Sequence, residues 1–291
     1  MIVGVDIGYS TTKTSEGISF LSKISSDDQI SGNDTITVDG KVYAIGVGSG
    51  TLEVDKINSE LTRVCLFTAL AMSSKENTFS VVTGLPIGQF QALKDSFKSS
   101  IETAPRATVI YHSSRREINI SRVKVYAQGA GALLSQHIPG NAIIIDIGSR
   151  TTDIALFEVE NGKRTLSRST TLFSGVMSLY GDVAQAANRQ YKLSLLPSYG
   201  ESIMRDDLIV DGIIRSKEFV HGICRDHLEQ LFYELDLNYP SRTTPIYLCG
   251  GGAYTLGRYI KARYPATKIM EQSQFANAIG FAKVGEKIWT A

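Results

Sequence analysis

One segment of this chain occurs twice, and that repeat constrains the fold more than any other feature. Val3-Gly-Val-Asp-Ile-Gly-Tyr-Ser-Thr-Thr-Lys-Thr14 and Ile143-Ile-Ile-Asp-Ile-Gly-Ser-Arg-Thr-Thr-Asp-Ile154 align without a gap. They share Asp-Ile-Gly-x-x-Thr-Thr, with Asp6 and Asp146 140 positions apart. Each copy starts with β-branched residues, turns through glycine and small polar residues, and resumes as a strand. Two like-built strand-turn-strand units half a chain apart predict two domains on one plan. A length of 291 residues accommodates two domains, at roughly 100–200 residues each.

Each unit can do the same chemistry. Gly8 and Gly148 let the backbone turn tightly and approach a ligand, because no Cβ stands in the way. The turn then brings together successive N–H groups and the hydroxyls of Ser10, Thr11 and Thr12, or of Ser149, Thr151 and Thr152, a set suited to phosphate oxygens. Asp6 and Asp146 end apolar strands, where an unpaired charge is costly, so a hydrated magnesium ion is a natural partner. A single copy reads equally well as an ordinary Gly-containing turn with local Asp and Thr hydrogen bonds. The matched pair favours the phosphate reading.

Composition narrows the class. With 30 basic against 29 acidic side chains the formal charge is +1, which argues against a whole-molecule grip on DNA or anionic lipid. Hydrophobic residues are 43% and charged residues 20%, enough for packed cores. The longest nearly apolar run, Val64 to Met72, is far short of the ~20 residues that span a bilayer. Cys65, Cys224 and Cys249 are scattered and odd in number, so a disulfide framework is not expected; with no signal-peptide pattern at the start, the expected location is the cytoplasm.

Between and after the repeats, strands alternate with helices. Asp39-Gly40 is a hairpin turn before a strand over Lys41–Ile45. Helices are expected over Ser59–Met72, from about Gly88 to Glu102, and over Ala127–His137, the last ended by Pro139-Gly140. Strands are expected over Phe79–Thr83, Ala107–His112 and Glu117–Val125. In the second half, strands are expected over Lys163–Thr171 and Pro245–Cys249. Helices are expected there over Val176–Gln190, Ser216–Leu237, Tyr254–Tyr264 and Ser273–Trp289.

A third glycine cluster, Gly250-Gly-Gly252 before Ala253, lies between an apolar strand and a helix start. A purine face or an α-phosphate can lie on such bare backbone, and a helix N-terminus favours negative charge. Glycine triplets also serve simple close packing. The usual G-x-x-x-x-G-K-[ST] and strand-linked G-x-G-x-x-G patterns are absent.

Together these residues resemble the actin-like ATPase superfamily, and within it most closely the plasmid-segregation actins of the ParM (StbA) family. Val38-Asp-Gly-Lys-Val-Tyr-Ala-Ile-Gly46, Val81-Val-Thr-Gly-Leu-Pro-Ile87, Val125-Tyr-Ala-Gln-Gly-Ala-Gly-Ala132 and Ala276-Asn-Ala-Ile-Gly280 support the narrower likeness. The resemblance implies an α/β, actin-like fold: two related ribonuclease-H-like domains around a nucleotide cleft, each contributing a phosphate hairpin. Domain I would span residues 1–138, domain II 139–272, and residues 273–291 would return to domain I as a helix. Asp6, Gly8, Ser10, Thr11, Thr12 and Lys13 match the first phosphate hairpin, and Asp146, Gly148, Ser149, Thr151, Thr152 and Asp153 the second. Gly250, Gly251, Gly252 and Ala253 match the adenosine loop, with Glu201 and Arg205 as ribose or base contacts. Gln128 falls where the connecting helix presents a water-positioning residue; plasmid actins often carry Glu there, and a neutral Gln orients water rather than deprotonating it.

The implied cofactors are ATP, with GTP as the competing nucleotide, and Mg2+, held through water by Asp6 and Asp146. The implied partners are further copies of the chain in a filament and a centromere-binding adaptor that reaches plasmid DNA indirectly, with no membrane. Two other classes on the same fold are a small-molecule kinase, which needs a carboxylate base beside an acceptor hydroxyl, and a non-polymerising scaffold with an amphipathic tail, for which Phe275–Ala291 is a weak candidate. His221, Cys224 and His227 share a helical spacing without an evident fourth ligand, so a packed helix is expected there rather than a metal site. Arg115-Arg116 is expected to cap a hairpin tip or touch a neighbouring subunit rather than bind DNA.

Overall fold

A computed structural model describes residues 1–26, 34–50 and 59–290. The chain divides into two compact units, Met1–Ile138 with Phe275–Ala291, and Pro139–Gln274.

The first unit opens with β1 (Ile2–Ile7), β2 (Thr11–Thr14), β3 (Ser19–Leu21), β4 (Lys23–Ser25), β5 (Thr35–Val38), β6 (Lys41–Ile45) and β7 (Ser49–Gly50). After these come α1 (Glu60–Ser73), β8 (Thr78–Leu85), α2 (Ile87–Thr103), β9 (Arg106–Tyr111), β10 (Ser114–Ala127) and α3 (Ala130–Ser135). Its sheet runs β3-β2-β1-β8-β10-β9-β5-β6-β4-β7, with β8 parallel to both β1 and β10. Alternation on β1 sends Val3 and Val5 into one core with Val64 and Phe67 of α1. Ser59 caps α1, its hydroxyl accepting the Thr62 N–H at 3.1 Å. Asp39 and Gly40, both at positive φ, make the expected turn between β5 and β6.

The second unit contains β11 (Ala142–Ile147), β12 (Thr152–Glu160), β13 (Lys163–Leu172), α4 (Val176–Tyr191), α5 (Tyr199–Arg205), β14 (Leu208–Val210), β15 (Ile213–Arg215), α6 (Phe219–Asn238), β16 (Ile246–Cys249), α7 (Ala253–Arg263) and β17 (Lys268–Ile269). Its main sheet runs β13-β12-β11-β16-β17, the last three parallel. An antiparallel β3-β2-β1 or β13-β12-β11 meander flanked by two parallel strands thus appears in both units. The repeat visible in sequence extends to the whole sheet plan, which is an actin-like α/β architecture.

A 3-10 turn at Ser273–Phe275 leads into α8 (Ala276–Trp289). Its buried face, including Asn277, Gly280, Phe281 and Val284, packs in the first unit, so this segment is not a free amphipathic tail. No helix among the described residues is long and apolar enough to cross a membrane.

Three expectations are corrected. The helix expected over Ala127–His137 shrinks to α3, because β10 continues to Ala127, paired with Leu85, and Gly129 at φ +77 breaks the chain direction. Gln128 therefore sits in the turn between strand and helix rather than on the helix. The helix expected from Ser216 begins at Phe219, after a β14-β15 hairpin turned by Asp211 and Gly212 at positive φ. Arg116 is not at the hairpin tip, which His112 and Ser113 form: its guanidinium donates to the carbonyls of Ala71, Ser74 and Glu76, closing the C-terminal end of α1.

Candidate functional site

In the first unit, β1 brings Asp6 to the edge of the first hairpin turn. The Gly8 N–H donates to the Thr11 carbonyl at 3.0 Å, and a Cβ on Gly8 would lie 2.6 Å from that oxygen, so the turn closes only on glycine. Asp6, 6% exposed, stands opposite Lys13 across the β1–β2 ladder and accepts the Gln128 Nε2–H at 2.6 Å. Gln128 is itself anchored: its N–H donates to the Leu85 carbonyl, and Asn277 of α8 accepts the Gly129 and Ala132 N–H groups at 2.9 and 3.1 Å. Gly129 has no side chain to cap α3, so Asn277 serves instead. Asn277, a lone polar residue among Ala, Gly and Phe, is the one signal of this role in the local sequence.

The second hairpin repeats the turn, with the Gly148 N–H donating to the Thr151 carbonyl at 2.9 Å. Its electrostatics differ. Asp146, 8% exposed, is opposed on β12 by Asp153, which accepts the Thr171 hydroxyl. Two carboxylates directly opposite one another repel, and as hard oxygen donors they suit a magnesium ion. The residue opposite the aspartate is thus a cation, Lys13, in the first hairpin and a second carboxylate, Asp153, in the second.

The doubled threonines split into two roles. Thr12 is fully buried, its hydroxyl 2.9 Å from the Ser22 hydroxyl and hydrogen-bonded to Cys65, whose thiol burial pushes up to about 12. Thr152 is equally inward, donating to the Ser174 carbonyl at 2.6 Å. These two hydroxyls do not join the ligand-facing set expected from sequence, because strand alternation turns the second threonine of each pair into its own core. Ser10, Thr11, Lys13, Ser149 and Thr151 are half-buried and remain at the turns.

The glycine triplet is also divided. Gly250 has φ +82, donates to the Ser273 carbonyl, and would place a Cβ 2.4 Å from Asp146 Oδ1. Gly252 donates to the Ile147 carbonyl at 2.9 Å, and a Cβ there would lie 2.4 Å from Ile147 Cγ2. Both serve close packing of the loop on the second hairpin. Gly251 alone is exposed, with nothing near its missing Cβ, and Ala253 is buried at the start of α7.

The α4 N-terminus docks on the same hairpin, Val176 and Met177 donating to the Gly148 and Ser149 carbonyls. Tyr180 of α4 reaches α7, its hydroxyl 3.4 Å from Thr255 Oγ1. Burial raises the Tyr180 pKa, with a further upward push from Glu201 and a downward one from Arg205. Glu201 and Arg205 are exposed on α5, and Arg205 forks onto Asp206. These contacts link Glu201, Arg205, Tyr180 and Thr255 across α4, α5 and α7. Tyr180 and Thr255 were missed because only tertiary packing brings their helices together.

His221 Nδ1 lies 3.0 Å from the Tyr259 hydroxyl, Cys224 is buried, and His227 faces Ser174. Among the described residues no group of three or more metal-ligating side chains converges.

Comparison with known proteins agrees with this architecture. Residues 4–131 match the family of actin-like protein N-terminal domains, and residues 144–262 match the archaeal actin homologue MreB-like C-terminal family. An archaeal actin homolog of Thermoplasma acidophilum is 27% identical, with 99% of both chains covered. Among solved structures, a 15-stranded ParM filament from Clostridium botulinum superposes with a TM-score of 0.83 at 21% identity, covering 99% of each chain. An archaeal actin homolog in complex with ADP gives 0.83 at 22% identity, covering 98% of this chain and 99% of the other. With both halves matched in order and the repeated sheet plan in each unit, the chain belongs to the actin-like superfamily.

Proposed function

We propose that this actin-like chain is a cytoplasmic ATPase that polymerises with magnesium-ATP into filaments and segregates plasmid DNA through a centromere-binding adaptor. The observation that carries this reading is the repeated hairpin: two turns closed by the same Gly N–H to Thr carbonyl bond, each behind a buried aspartate. The ADP complex of one structural relative and the filament formed by another support it.

In this reading each hairpin is a phosphate-binding turn for ATP. Ser10, Thr11, Lys13, Ser149 and Thr151 bind phosphate oxygens, and Gly251, Glu201 and Arg205 take the nucleoside. Asp6 and Asp146 would hold magnesium through water, with Asp153 beside the latter; when bound, the ion offsets the phosphates' negative charge. Gln128 donates its amide N–H to Asp6, which leaves its side-chain carbonyl as the acceptor that orients an attacking water. Loss of the γ-phosphate removes charge-assisted hydrogen bonds worth roughly 1.5–3 kcal/mol each, enough to shift a subunit interface equilibrium tenfold. Ile209 and Ile214, opposite one another on β14 and β15, are more than half exposed and suit a surface covered by a second copy.

Light scattering and pelleting with ATP and magnesium test the proposal. ATP-dependent pelleting that reverses as phosphate is released supports it. Phosphate transfer to a metabolite without pelleting replaces it with the kinase reading. Gln128→Ala is expected to bind nucleotide with affinity near that of the wild type and to lower turnover by about 10²-fold, giving longer-lived filaments. Normal turnover and disassembly in that variant would remove Gln128 from the mechanism.

A further inference from the structure

Ser149 and Arg150 form the tip of the second phosphate turn, between the bonded pair Gly148 and Thr151. The tips Asp39-Gly40, His112-Ser113, Asn161-Gly162 and Asp211-Gly212 each put both residues at positive φ, the geometry that matches the twist of a hairpin. Ser149 and Arg150 are not at positive φ, and neither are Tyr9 and Ser10 of the first turn. Such a tip splays its strands unless something outside the hairpin holds it. In the second unit that support is α4. The helix has no side-chain cap at Gly175; instead its first two N–H groups, of Val176 and Met177, donate to the Gly148 and Ser149 carbonyls at 3.1 and 2.9 Å. The Ser174 carbonyl adds a third tie by accepting the Thr152 hydroxyl at 2.6 Å.

In a trans peptide the N–H points opposite to the C=O of the same unit. With the Gly148 and Ser149 carbonyls turned toward α4, the Ser149 and Arg150 N–H groups face away from it. Two successive N–H groups aimed the same way cradle a phosphate oxygen. Gly175 makes this contact possible. A Cβ there would lie 2.4 Å from the Ser149 carbonyl carbon, and 2.5 Å from both the Ser149 oxygen and the Arg150 nitrogen, the atoms of a single peptide unit. Its own φ of −114° and ψ of 179° suit any residue, so the neighbouring peptide, and not the local backbone, demands glycine. We propose that Gly175 is a positioning residue for the second phosphate turn: by letting α4 lie directly on the Ser149–Arg150 peptide, it fixes two amide donors before any nucleotide arrives. Donors already in place need no reordering when the phosphate binds. The consequence for ATP rests on the nucleotide reading above, whereas the clamp itself does not.

Amide exchange and binding measured on the full chain test it. In wild type without nucleotide, the Val176 and Met177 amides are expected to exchange at least about 10²-fold slower than unstructured amides, and saturating magnesium-ATP to slow them by less than about twofold more. Rapid exchange that slows only when ATP is added would overturn the proposal. Gly175→Ala displaces the peptide by about 1 Å, so ATP affinity is expected to fall by about 10- to 100-fold while adenosine affinity stays within about twofold of wild type. Gly181→Ala makes the same change on the same helix, with only an ordinary contact of 3.9 Å to Pro197, and is expected to match wild type for both ligands. An equal loss for ATP and adenosine, or no loss for ATP, would sink the positioning role. If Gly175→Ala does not fold, the wild-type exchange pattern decides. Wild type that binds no ATP refutes the nucleotide reading, and exchange in the nucleotide-free protein then decides the clamp alone.

Discussion

Asp146→Ala is expected to lower ATP turnover by at least about 10²-fold, the cost of removing one preorganised electrostatic group from a phosphoryl-transfer site. The same change leaves the fold intact. Asp146 sits on a strand paired on both sides, to β12 and to β16, and its backbone bonds do not depend on the side chain. The ladder bonds of the strand remain, so the melting temperature should stay near that of the wild type. Phosphate release and a melting curve on one sample check both halves. Unchanged turnover would take Asp146 out of the site, and a collapsed melting curve would show that the carboxylate is structural.

The second large effect is on stability. Gly280→Ala puts a methyl group where its carbon would lie 1.7 Å from the Gly131 carbonyl oxygen, a backbone atom that cannot rotate aside. Helices α3 and α8 must separate, at a cost of about 3 kcal/mol. For a unit of this size that lowers the melting temperature by roughly 6–12 °C. Separation also pulls Asn277 from the Gly129 and Ala132 amides, so the support beneath Gln128 loosens and turnover falls with stability. Gly251→Ala is the contrast, since nothing lies near its absent Cβ: stability should stay within about 0.5 kcal/mol, and only nucleotide affinity should respond. Melting of Gly280→Ala at the wild-type temperature would end the close-packing account.

What could be read early was local. The two hairpins, the Asp39-Gly40 turn and the Ser59-capped helix each form from residues within a few positions of one another. The β14-β15 hairpin was equally legible, since Asp211-Gly212 between branched apolar residues is a strong turn signal, yet no element was expected there. Helix α3 misled for a different reason. The Ala-Gly-Ala-Leu-Leu run favours a long helix by propensity, whereas the parallel ladder of β10 with β8 holds the chain extended through Ala127.

The Arg115-Arg116 pair shows the same limit. Charge and position placed Arg116 at a tip, but the acceptors it serves are carbonyls at the end of α1, about 40 positions earlier in the chain. No short window contains both partners.

By itself, then, the order of residues determined that there are two like-built units and which aspartates, glycines and hydroxyls stand at their turns, because those depend on backbone sterics over a few bonds. Only tertiary structure decided which threonine of each pair faces inward, that two of three glycines pack against Asp146 and Ile147, that Asn277 steadies Gln128, and that Asp146 faces Asp153 where Asp6 faces Lys13. Those outcomes depend on strand register and on helices distant in sequence, and register is selected by the burial of whole faces rather than by any one motif.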